Sequence, residues 1–255
     1  MLLDAWRLAV GTLTAVPVKP PTVVDPQRAG LAMTLAPLAA LPLGAAVTLI
    51  ALTGDALDLP VLVVAMLSPG AAVLGNRAFH LDGLSDTVDG MAASYDRTRS
   101  LAVMKTGTSG PAGVVAVVLV LGLQATGLSA VLSLSDTVGA AVLAGCAMCV
   151  ARVALATCCA RRVPSARPGG LGDTYTGTVP WPVVGLLWLA GAAVLGAAGA
   201  WAGLGWWRGP LAVAVAVVVV AVLVARAVRR FGGVTGDVFG AGVELALAAL
   251  LVGLA

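Results

Sequence analysis

Three aspartates at i, i+4 and i+7 stand out in Asn76-Arg77-Ala78-Phe79-His80-Leu81-Asp82-Gly83-Leu84-Ser85-Asp86-Thr87-Val88-Asp89-Gly90. On a helix this spacing places Asp82, Asp86 and Asp89 on one face and Leu81, Leu84 and Val88 on another. Like charges held together repel, and an oxygen-only ligand set is what a hard divalent cation takes. Mg²⁺ binds through a few carboxylates and completes its shell with water and substrate phosphate. The expected metal ligands are therefore Asp82, Asp86 and Asp89, and His80 beside them is a candidate proton acceptor or substrate contact. An acidic loop with helix-capping aspartates is the plainer reading. Against it stand the surrounding cations Arg77, Arg97, Arg99 and Lys105, which turn the segment into an acid set with phosphate partners.

Further along, Met104-Lys105-Thr106-Gly107-Thr108-Ser109-Gly110-Pro111 leads into an apolar run. A helix start of this kind can offer backbone N–H groups, Gly110 among them, to a phosphate, and Lys105 adds a point charge. Arg161, Arg162 and Arg167 precede a glycine-rich Pro168-Gly169-Gly170-Leu171-Gly172-Asp173, where a turn flanked by orienting charge is the default reading. Near the end, Asp237 and the single glutamate, Glu244, fall at and inside the last apolar run. An acid inside a membrane helix is a functional candidate by default, because placing it there costs several kcal/mol, about 2.5–3.5 even on lenient scales.

What must position these residues follows from composition. Of 255 residues 60% are hydrophobic and 11% charged, whereas a soluble domain is about one quarter charged. The chain is expected to be an all-α, polytopic membrane helix bundle, a single integral-membrane domain over 1–255. Apolar runs at 30–53, 59–76, 111–135, 137–160 (interrupted by Arg152), 179–204, 210–225 and 240–255 (containing Glu244) give about seven transmembrane helices. Leu2, Trp6, Ala9 and Leu13 recur at helical spacing, so the N-terminal segment is read as interfacial. Alternating the loops puts twelve of the fifteen cations on one side, which by the positive-inside rule is the cytoplasm; the N-terminus then lies inside. No basic stripe is interleaved with aromatics, so nucleic acid is not an expected partner. Cys146, Cys149, Cys158 and Cys159 have no second ligand set beside them and read as small buried thiols.

The segment His80 to Gly90, with Met104-Lys105 and Gly110 to Gly113 after it, closely resembles the cobalamin synthase, or adenosylcobinamide-GDP ribazoletransferase, family. Leu13-Thr14-Ala15-Val16-Pro17-Val18, Ala166-Arg167-Pro168 with Gly170-Leu171-Gly172, and Gly233-Val234-Thr235-Gly236-Asp237 through Glu244 resemble its other segments in matching order. The resemblance implies a multi-pass enzyme of the bacterial cytoplasmic (inner) membrane, with its active site on the cytoplasmic side. It would join adenosylcobinamide-GDP to α-ribazole, or its 5′-phosphate, and release GMP late in cobalamin assembly, with Mg²⁺ as cofactor. Asp82, Asp86, Asp89, His80 and Lys105 would be catalytic; Lys105, Arg167, Gly110, Asp237 and Glu244 would bind substrate. Thr106, Gly107 and Thr108 stand where the family carries Asp, Ser and Arg, and Arg77 where a glycine is expected. The small residues along several spans permit a homo-oligomer, or a complex with other corrinoid-assembly enzymes, as readily as packing within one chain.

Competing readings are another Mg²⁺-dependent membrane transferase acting on diphosphates, or a transporter. A CDP-alcohol phosphotransferase calls for Asp-Gly followed by Ala-Arg, and a membrane prenyltransferase for two aspartate-rich motifs; neither pattern occurs. A transporter calls for charges deep in several spans and for repeated halves.

Overall fold

The apolar runs fold into helices whose ends coincide with proline, glycine and aspartate. In a computed structural model, residues 1–170 and 172–255 are described. Twelve helices follow one another: α1 (Leu2–Leu13), α2 (Pro26–Ala39), α3 (Leu41–Ala56), α4 (Val61–Gly75), α5 (Phe79–Ala93), α6 (Arg97–Val103), α7 (Pro111–Leu132), α8 (Thr137–Val150), α9 (Val153–Cys158), α10 (Trp181–Trp201), α11 (Arg208–Phe231) and α12 (Gly236–Leu254). Among the described residues no strand forms; two isolated parallel bridges, Ala160 with Val179 and Ser165 with Val234, are the only β pairing.

Six helical stretches are long and apolar enough to cross a membrane: Pro26–Ala56, Pro111–Leu132, Thr137–Cys158, Trp181–Trp201, Arg208–Phe231 and Gly236–Leu254. A seventh is reached by joining α4 to α5, which meet at 91°. The expected helix bundle of about seven spans is therefore what the chain forms. α12 is its centre, packing against α5, α7, α9 and α11, and its side chains are nearly all buried. Asp25, Asp96, Asp136 and Thr235 cap α2, α6, α8 and α12, each accepting from a backbone N–H of the first turn.

α4 turns into α5 through Arg77 and Ala78, both at positive φ (60° and 57°). Two successive left-handed residues redirect the chain sharply, so α5 leaves the line of α4 at 91° and packs against α12. The position where the family resemblance calls for glycine is thus one where glycine would relieve strain. Arg77 is held there by a 2.8 Å hydrogen bond to the carbonyl of Gly11 at the end of α1. Close approach of α5 to α12 depends on one glycine from each helix. A Cβ on Gly83 would sit 2.6 Å from the carbonyl oxygen of Asp237, and one on Gly240 2.9 Å from the Cα of His80.

Candidate active site

α5 sorts its polar residues by face. Asp82 is exposed and Asp86 half-buried, and among the described residues neither carboxylate has a hydrogen-bond partner. Burial, and then the neighbouring charges of Asp82, Asp237 and Asp89, push the Asp86 carboxyl up to about 6, against a smaller opposing effect of Arg167. Asp82, Asp86 and Asp237 therefore form one acidic group across the α5–α12 crossing. Asp237 comes from the first turn of α12, where Thr235 Oγ1 donates to its Oδ2 at 3.1 Å and Arg167 Nη1 stands 3.6 Å from the same oxygen.

Asp89 is used differently from its two neighbours. It is 7% exposed, and its oxygens accept from Gly110 N–H at 2.6 Å and Gly113 N–H at 2.8 Å. The expectation that Gly110 offers its N–H to a phosphate is corrected by this geometry: the start of α7 already holds a carboxylate from its own chain. Asp89 thereby fixes α7 against α5, as a charged N-terminal partner should.

The cations come from loops at the same end of the bundle. Residues 164–166 pair with the turn before α12, Ala166 N–H donating to Val234 O and Val234 N–H to Pro164 O, both at 2.9 Å. That pairing carries Arg167 to Asp237. Arg167 also donates from Nη2 to the carbonyl of Leu101 in the last turn of α6 at 2.7 Å, so it serves both as a helix cap and as a charge beside the acids. Arg97 donates to Ala166 O at 3.0 Å. Arg230 donates to Met91 O at 2.7 Å and to Ser94 O, with its guanidinium 4.3 Å from the centre of the Tyr95 ring. Asp173 accepts from Gly169 N–H at 2.8 Å, which closes the glycine turn and holds this carboxyl below the usual range.

These pieces enclose a cavity of about 360 Å³ whose wall includes Lys105, Arg167, Gly170, Asp173, Thr235 and Asp237. Lys105, Arg167 and Asp237, expected as substrate contacts from three distant segments, are brought together. Thr106 and Thr108 are exposed in the turn before α7, Thr108 Oγ1 donating to Thr106 Oγ1 at 3.2 Å.

His80 and Glu244 are placed elsewhere, inside the bundle. His80 is 1% and Glu244 4% exposed, with Nδ1 and Oε1 3.7 Å apart. Gln124 of α7 donates to Glu244 Oε2 at 2.8 Å, and Asn76 Nδ2 lies 3.4 Å from His80 Nδ1. Arg152, also 1% exposed, donates to the carbonyl of Met148 at 2.7 Å. Glu244 thus belongs to a buried polar network behind the acidic face and does not line the cavity of Lys105 and Arg167. Sequence reasoning did not find Gln124 as its partner, because 120 residues separate the two. Nor did it single out Phe79, Tyr175 and Phe239, ordinary apolar residues that line the site.

Among the described residues no three His, Cys, Asp or Glu side chains converge closely enough to hold a metal ion by themselves. The donor set fits Mg²⁺ all the same, since Asp82 and Asp86 offer unengaged carboxylates and this ion commonly takes one or two acids plus phosphate oxygens and water.

The profile of the cobalamin-5-phosphate synthase family matches residues 5–255. The chain belongs to this family. It is 55% identical over 249 residues to an adenosylcobinamide-GDP ribazoletransferase of a Nocardioides species, covering 98% of this chain and 97% of that one. Enzymes of the same name from Frankia casuarinae (36% identical, 99% and 94% covered) and Pseudomonas aeruginosa PAO1 (37%, 99% and 98%) are also similar. No solved structure matches the chain. Membership in this family decides against the CDP-alcohol, prenyl and transporter readings.

Proposed function

We propose that the chain is an adenosylcobinamide-GDP ribazoletransferase acting late in cobalamin biosynthesis. It joins adenosylcobinamide-GDP to α-ribazole, or its 5′-phosphate, and releases GMP. The observation that carries this reading is the meeting of Lys105, Arg167 and Asp237 around one cavity, with the α5 acids close enough to Asp237 to feel its charge, in a chain similar along its whole length to enzymes of that name.

The chemistry is a displacement at phosphorus. A ribose hydroxyl of α-ribazole forms a new P–O bond to the phosphoryl group that carries cobinamide, and the P–O–P bond to GMP breaks. Asp82 and Asp86 are the residues that would hold Mg²⁺. When bound, the ion neutralises charge on the phosphoryl oxygens and the leaving GMP. Lys105 and Arg167 supply further positive charge to the same oxygens. Asp237, held by Thr235 and Arg167, completes the acidic wall, and the hydroxyl proton leaves to a carboxylate of that cluster. Asp89 positions: it keeps the start of α7, and Lys105 just before it, in register with α5. The buried network of Glu244, Gln124 and His80 supports α12 from behind.

We place the site on the cytoplasmic side of the bacterial inner membrane. The collection of twelve of fifteen cations in the loops of that end supports this. The test is GMP release by purified protein in liposomes with adenosylcobinamide-GDP and Mg²⁺. Release that requires α-ribazole and stops with EDTA is expected; ribazole-independent release, or none from folded protein, contradicts the reading.

A further inference from the structure

Next to the polar cavity lies a second one of about 160 Å³ that the phosphoryl chemistry leaves unused. The two share Phe79, Gly172 and Gly236 in their walls, so they adjoin. The second is lined by Leu13, Met33, Leu155 and Phe239, and by three polar side chains, His80, Tyr175 and, at the end of α1, Thr12. Tyr175 and Phe239 meet edge to face, ring centres 6.4 Å apart, a geometry that leaves ring surface for a third aromatic group.

His80 Nε2 is buried and has no hydrogen-bond partner among the described residues. Its other nitrogen, Nδ1, faces Asn76 Nδ2 at 3.4 Å. Glu244 Oε1, at 3.7 Å from the same nitrogen, is beyond hydrogen-bond distance; with Nδ1 accepting from the Asn76 amide, the ring carries its proton on Nε2, a donor without a partner among the described residues. A buried polar group left in this state costs free energy until a ligand supplies the missing acceptor.

We propose that this second cavity is the subsite for the aromatic base of α-ribazole, with His80 Nε2 donating to the free ring nitrogen of the base. The inference rests on the ribazoletransferase reading and deepens it. Size excludes a corrin ring. Chemistry decides between the two bicyclic bases the substrates offer. Guanine would bring several donors and acceptors along its edge into a largely apolar wall whose polar side chains are His80, Tyr175 and Thr12, leaving most of them unpaired. Dimethylbenzimidazole has one free acceptor nitrogen and otherwise hydrocarbon edges. It matches a cavity of mostly aliphatic and aromatic walls with the His80 nitrogen unpartnered among the described residues. Seated there, the base directs its ribose across the shared wall toward Arg167, Lys105 and Asp237, where the attacking hydroxyl is needed.

Two variants and an analogue test this. Thr12 is half-buried at the end of the interfacial α1, so Thr12→Phe narrows the cavity without loading the bundle core. It is expected to raise KM for α-ribazole at least tenfold, with KM for adenosylcobinamide-GDP changed less than twofold. The corresponding indole riboside, which lacks the acceptor nitrogen, is expected to bind the wild type about five- to tenfold more weakly than α-ribazole, the effect of one lost hydrogen bond. On His80→Ala that difference should vanish, a readout that a purely structural histidine would not move. Binding is followed by the fluorescence of α-ribazole itself, titrated into protein in nanodiscs without the second substrate. Failure of the wild type to bind α-ribazole overturns the subsite. So does an unchanged ribazole KM in Thr12→Phe, a rise in the other KM instead, or analogue discrimination that survives in His80→Ala. Each of these can occur while ribazole-dependent GMP release stands, whereas absence of that release in the wild type overturns the enzyme assignment itself.

Discussion

Asp82, Asp86 and Asp89 share a spacing but not a task. Asp89 spends both oxygens on Gly110 and Gly113, while among the described residues Asp82 and Asp86 have no hydrogen-bond partner, as the proposed metal role requires. Asp89→Asn is therefore expected to destabilise the protein by about 1–3 kcal/mol, the cost of unpairing buried backbone donors, and added Mg²⁺ should not restore its activity. Asp82→Asn should lose activity with no fall in melting temperature in EDTA; equal destabilisation by the two would contradict the division. Asp86 gives a pH signature. Its carboxyl is raised from an ordinary 3.8 to about 6, so the folded state prefers it protonated. That contribution to stability is complete below about pH 4 and lost as pH rises through about 6. In EDTA the melting temperature should fall between pH 4 and pH 6, and Mg²⁺ should remove part of the fall in wild type but not in Asp86→Asn. Spacing made Asp82 and Asp86 legible in the sequence. It could not reveal the role of Asp89, whose donors lie 21 and 24 residues away, nor separate Glu244 from the cavity, since an acid in an apolar run looks the same whether it faces substrate or Gln124.

At the level of elements, the site depends on a helix that leaves the bundle direction. α5 leaves the line of α4 because Arg77 and Ala78 adopt left-handed backbone, and neither is a residue type that favours that conformation. The hydrophobic pattern shows where α4 runs but not that the chain turns by 91° after it. Ala78→Gly is expected to stabilise the protein by up to about 1 kcal/mol by relieving a strained φ, and to leave activity intact. A lower melting temperature for this variant would show that the bend is set by something else. The crossing of α5 with α12 behaves in the opposite sense. Gly83→Ala would place a methyl 2.6 Å from a backbone oxygen, and overpacking of this kind costs about 1–3 kcal/mol. Because Asp237 sits at that contact, activity should fall more than tenfold even where the variant still folds, as judged by gel filtration and circular dichroism.

The whole molecule separates two jobs by depth. Apolar helices whose boundaries are readable from uncharged runs form the scaffold, and the charges gather at one end. Many of these cations have specific partners. Arg97, Arg167 and Arg230 close loops onto helix ends, so cations of this end also assemble the site. If that end is cytoplasmic, Ser135→Cys in the α7–α8 loop should react with a membrane-impermeant maleimide in intact cells, and Thr106→Cys only after permeabilisation. The reverse pattern would invert the topology. The central claim concerns the acid pair, and one measurement bears on it directly: ribazole-dependent GMP release across a Mg²⁺ titration, comparing wild type with Asp82→Asn and Asp86→Asn in the same liposomes. The predicted result is a loss of at least a hundredfold in kcat/KM in both variants, with a higher Mg²⁺ requirement for any residual activity. Turnover near the wild-type rate at saturating Mg²⁺ in either variant would contradict the assignment of these carboxylates to the cation and its diphosphate.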